Sequence, residues 1–60
     1  NLLVLRKQLG QTQLQFAATM GVSLMTISRW ERGEIAVPGP AQRLAQVLLA
    51  LRPVIKLLNL

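Results

Sequence analysis

Apolar residues recur along this chain at helical spacing and nowhere alternate as a strand would require. Leu2, Leu5 and Leu9 fall at i, i+3 and i+7, and Gly10 is placed to end that first helix in the left-handed region. Thr12-Gln13-Leu14-Gln15 holds the threonine and glutamine of a capping box, which predicts a second helix over residues 13–20, stopped by Gly21. Ser23 is a good N-cap for a third helix running to about Arg32, with Gly33 as its terminator. Residues 34–39 read as a loop, and Pro40 suits the first turn of a fourth helix whose Leu44, Val47, Leu48 and Leu51 share one face. Pro53 ends that helix or opens a short last one carrying Val54, Ile55, Leu57 and Leu58. The pattern predicts an all-α domain, four helices and a short fifth, occupying residues 1–60 as one unit.

Composition narrows the function. Sixty residues lie near the lower limit for a chain that folds without a staple. Cysteine, histidine, aspartate and tyrosine are all absent. That removes most nucleophile–base pairs and metal clusters, so neither catalysis nor a metal or other cofactor is expected. The lack of cysteine fits a cytoplasmic protein. The longest uninterrupted apolar run, residues 47–51, is far short of the roughly 20 residues of a membrane span. The first residue is Asn1, and the leucines after it lack both a basic flank and a cleavage site, so a signal peptide is not expected. The chain reads as an ordered piece of a longer product. Seven Lys and Arg against two Glu give a net charge of +5, and five of the seven are arginine. A small arginine-rich basic domain points to phosphate-bearing partners, or to a basic surface kept for solubility.

Only "MGVS", residues 20–23, separates the second and third helices. So tight a connection forces a sharp corner, as in a DNA-binding helix-turn-helix over about residues 13–32. Ala17 is then small because the third helix crosses close to it, and Gly21 turns the corner. Phe16, Met20, Val22, Ile27 and Trp30 point inward and lock the angle. In "QTQLQFAATMGVS", "TISRWERGE" and the following "P..AQRLAQVL", the chain resembles the phage-repressor and Cro-like helix-turn-helix domains of the Xre family. The likeness runs without a gap from about residue 5 to residue 51. It implies a four- to five-helix, lambda-repressor-like bundle that binds double-stranded DNA and regulates transcription, as a repressor.

In that docking geometry the helix over residues 23–32 enters the major groove. Its outward side carries Ser23, Leu24, Met25, Ser28 and Arg29 as candidate base readers. Arg29 can fork onto O6 and N7 of a guanine, or meet phosphate instead. Leu24 and Met25 suit a thymine methyl group or a protein partner, and Ser23 and Ser28 a base or a phosphate. The family commonly places glutamine or arginine where this chain has Leu24 and Met25. Phosphate contacts are expected from Thr12, from Gln13, which matches a backbone-contacting family position, and from Arg32 and Arg43. The resemblance also aligns Arg6 with Glu31 as a buried, structural ion pair, against which stands Arg6 as a phosphate contact. "EIAVPGP" after the recognition helix lacks the basic residues common there, so a monomer should bind weakly.

Val54, Ile55, Leu57, Leu58 and Leu60 exceed what a small domain exposes at one end. Some are expected to fold back on the first helix, and the rest to form the interface of a homodimer on a pseudo-palindromic operator. "SRWERGE", the proline loop and the apolar last helix also resemble the DNA-binding domains of antitoxins, which would add a protein toxin as a partner. A helix-turn-helix kept only as a protein-interaction module is the rival reading. A membrane-surface helix is not expected, because the basic residues are spread over several helices.

Overall fold

Three helix ends in this chain are built the same way. In the computed structural model, which describes residues 2–58 and the side chains of all of these but Ile55 and Lys56, the order is α1 (Leu2–Gln8), α2 (Gln13–Met20), α3 (Leu24–Glu31), α4 (Gly39–Ala50) and α5 (Arg52–Leu57). At the end of α2, Val22 N–H donates to Ala17 O (3.0 Å) and Gly21 N–H to Ala18 O (3.3 Å). That pair of bonds needs a left-handed residue, and Gly21 supplies it with φ 71°. Gly10 and Gly33 close α1 and α3 with the same two bonds.

The starts are equally local. Thr12 Oγ1 accepts from Gln15 N–H while Gln15 Oε1 accepts from Thr12 N–H, completing the capping box of α2. Ser23 Oγ accepts from Thr26 N–H at the start of α3. The third helix ends one residue before its expected limit, with Arg32 as its cap. The fourth starts one residue earlier than Pro40, at Gly39, with the proline inside its first turn.

The core draws on four helices. Leu2 of α1, Phe16, Ala17 and Met20 of α2, Ile27 and Trp30 of α3 and Ala45 of α4 are buried, ringed by Leu5, Leu9, Val22, Val37, Ala41 and Leu48. Phe16 and Ile27 are fully enclosed. The face that α4 turns inward is Ala41, Ala45 and Leu48; of the four residues on its apolar stripe only Leu48 packs on the core, and Leu44, Val47 and Leu51 are exposed. Alanines let the helix backbone approach the others closely, and the larger side chains one step round the helix are left exposed.

The last helix brings a correction. Val54, Leu57 and Leu58 do not fold back on α1; they are exposed. The side chain of Ile55, and Leu60, lie outside the described residues. Arg52 ties the start of α5 to the end of α1 by donating to Gln8 O (2.9 Å). Among the described residues no helix is long and apolar enough to cross a membrane.

Candidate nucleic-acid interface

A single carboxylate joins three helices behind the candidate interface. Arg6 of α1 donates from Nε to Glu31 Oε2 at 2.6 Å and from Nη2 to Oε1 at 3.2 Å. Gln13, the first residue of α2, donates its amide to the same Oε1 at 3.0 Å. Glu31 is the last residue of α3. The side chains of Arg6 and Glu31 are 13% and 6% exposed, so the pair sits mostly out of water. Arg6 Nη1 also donates to Gln11 O (2.8 Å), which holds the α1–α2 connection. Burial alone would raise the Glu31 carboxyl; the Arg6 and Gln13 hydrogen bonds, with the charges of Arg6 and Lys7, more than offset it and hold it below 4.5.

The network sets the geometry of the outer face. With Ile27 and Trp30 buried, the exposed stripe of α3 runs through Met25, Arg29 and Arg32, with Ser28 half-buried beside it. No hydrogen bond or ion pair engages the guanidinium of Arg29 among the described residues, and the same holds for Arg43 on the outer side of α4. Arg32 differs. Its Nη2 meets Glu34 Oε2 at 2.9 Å, an exposed pair that offsets one positive charge beside α3. Such a pair contributes about 0–1 kcal/mol, so exchange of Glu34 for a phosphate is cheap.

Several expected contacts find their groups already engaged. The Gln13 amide is on Glu31, Thr12 Oγ1 is on Gln15 N–H, and Ser23 Oγ caps α3 and lies 2.9 Å from Thr26 Oγ1. The backbone N–H groups of Gln13 and Leu14 remain at the positive end of α2. Leu24 and Met25, the first two residues of α3, are exposed at 45% and 61%.

Sequence reasoning missed the Gln13–Glu31 bond. The two residues are 18 apart in the chain, and only the crossing of α2 over α3 brings them together. It also missed the brace behind α2, where Gln11 Nε2 donates to Thr19 Oγ1 (3.0 Å) and that hydroxyl donates to Gln15 O (3.1 Å). No periodic signal marks either pair.

Compared with known proteins, residues 2–48 match the family model described as helix-turn-helix. No curated protein matches the chain, and no solved structure does. The matched span covers α1 through α3 and most of α4, the same helices that Glu31 and Phe16 hold together. With its short corner at Gly21 and an all-helical bundle around it, the chain belongs to the Xre, lambda-repressor-like helix-turn-helix family of DNA-binding domains.

Proposed function

We propose that this domain is a sequence-specific transcriptional repressor that binds a pseudo-palindromic operator as a homodimer, with α3 in the major groove. The observation that carries this reading is the exposed, unengaged guanidinium of Arg29 on the outward face of a helix whose angle is locked from behind by Glu31. A guanidinium in that position can place two parallel N–H groups on O6 and N7 of one guanine. Around it, the free N–H groups of Gln13 and Leu14 take a phosphate at the start of α2, and Arg43 and a released Arg32 take others.

The test is selection of bound duplexes from a random-sequence DNA pool, followed by affinity measurements across a salt series. Arg29→Ala is expected to lose about 1–3 kcal/mol of discrimination at one guanine per half-site. Arg43→Ala should instead weaken binding to all sequences alike and lower the salt slope by about one. The rival, a helix-turn-helix used only to bind protein, rests on the exposed Leu24 and Met25. It calls for no enriched sequence at all.

The dimer rests on a surface wider than the last helix. Leu44, Val47, Leu51, Val54 and Leu58 are spaced 3, 4, 3 and 4 apart, and all five are exposed. That is the spacing of a seam that packs against another helix. Leu51 caps α4 with φ −88° and ψ −1°, and α5 begins at the next residue, so Val54 and Leu58 follow the α4 stripe after a single non-helical residue. A two-fold pairing of this seam would cover the apolar excess and set two recognition helices about 34 Å apart on successive major grooves. Val54→Asp combined with Leu58→Asp should leave the helical circular dichroism intact and convert a dimer to a monomer in sedimentation. Operator affinity should fall with it, and unchanged sedimentation would refute the seam.

A further inference from the structure

We propose that the outward face of α3 reads a guanine together with the 5-methyl group of a pyrimidine one or two base pairs away, Arg29 taking the guanine and Leu24 and Met25 the methyl. This rests on the reading above that α3 occupies the major groove, and it names what the N-terminal end of that helix recognises there.

The polar groups at that end are engaged with one another. Ser23 Oγ accepts from Thr26 N–H at 3.1 Å as the helix cap, and it shares a 2.9 Å hydrogen bond with Thr26 Oγ1. The exposed side chains left to meet base edges there are Leu24 and Met25, which carry no hydrogen-bond donor and only a weak acceptor in the thioether. In the major groove the one apolar feature of a base edge is a methyl on C5, present in thymine and in 5-methylcytosine. An unmethylated cytosine presents only C5–H there and forgoes this contact, while its C4 amino group is the same in both forms.

Spacing fixes how close the two readouts lie. Met25 and Arg29 are four residues apart, one above the other on the same face of α3. One helical turn rises about 5.4 Å, and successive base pairs are about 3.4 Å apart. The methyl and the guanine are therefore neighbours, or one base pair removed from neighbours.

The experiment starts from the duplex that the full chain selects from a random pool. Each thymine in it is replaced in turn by uracil, and each cytosine by 5-methylcytosine, with affinity measured at constant salt. At one position per half-site, uracil is expected to weaken binding about fourfold if thymine supplies the methyl, and 5-methylcytosine to strengthen it about fourfold if cytosine occupies the position. Leu24→Ala with Met25→Ala should erase that difference and keep the guanine preference, with helicity checked by circular dichroism. Arg29→Ala should do the reverse. Methyl-independent affinity at every position, with the guanine contact intact, overturns this inference alone. A methyl effect that survives the double alanine variant overturns its assignment to Leu24 and Met25. A pool with no enriched sequence overturns the proposed function, and this inference with it.

Discussion

Glu31→Ala is expected to destabilise the domain by about 3–5 kcal/mol, seen as a lowered urea midpoint or melting temperature by circular dichroism. The substitution strands a guanidinium that is 13% exposed, leaving Arg6 only the Gln11 carbonyl as a partner, and it frees the Gln13 amide. A 60-residue domain is stable by only about 3–9 kcal/mol in all, so a loss of this size removes a third or more of it. Arg6→Met with Glu31→Leu should recover much of the loss, because an apolar pair of similar volume avoids desolvating two charges. If Glu31→Ala melts like the native chain, the network contributes nothing and the angle of α3 is set by the core alone.

The same carboxylate gives the fold an acid limit. Its folded pKa lies below the ordinary value of 4.5, so its contribution is complete above that value and is lost as pH falls through the folded pKa. Stability of the native chain should decline on the acid side of about pH 4.5, and Glu31→Gln should lack this part of the decline. A variant with the native acid profile would place the titration elsewhere.

Phe16→Ala, made alone, is expected to cost about 3–5 kcal/mol. Phe16 is fully enclosed where α1, α2, α3 and α4 meet, and its neighbours Ala17 and Ala45 are too small to fill the space left behind. Leu14→Ala, on the same helix but with the side chain in solvent, should change stability by less than about 0.5 kcal/mol. Saturating DNA should partly rescue Phe16→Ala, since a ligand that binds only the folded state draws the equilibrium toward it. Equal stability of the two variants would mean that the core is not centred on Phe16.

The helices were legible because their signals are short. A capping box spans four residues, and a glycine terminator bonds back no more than five, so Thr12, Ser23, Gly10, Gly21 and Gly33 need no tertiary contact to make their bonds. The inward residues of the corner were legible for a related reason, since the MGVS connection leaves α2 and α3 one way to meet. Periodicity alone left the inward face of α4 undecided. Leu44, Val47 and Leu51 do share a face, but a stripe of leucines shows that a face exists and not what it meets. Ala41 and Ala45 won the inward position through size, which hydropathy ranks low and close packing ranks high.

From the residues alone follow the all-helical class, three helix starts and three helix ends, the absence of cysteine, histidine, aspartate and tyrosine, and a third helix carrying Arg29. Its tertiary structure decided what those helices do to one another. Glu31 meets Arg6 across 25 residues and Gln13 across 18, Arg32 is held by Glu34, and an apolar seam from Leu44 to Leu58 is left outside. The division has a physical cause. Caps and turns are settled by bonds within a few residues, whereas the partner of a buried charge and the face of a helix depend on how closely distant backbones approach, and side-chain volume in the assembled core sets that distance.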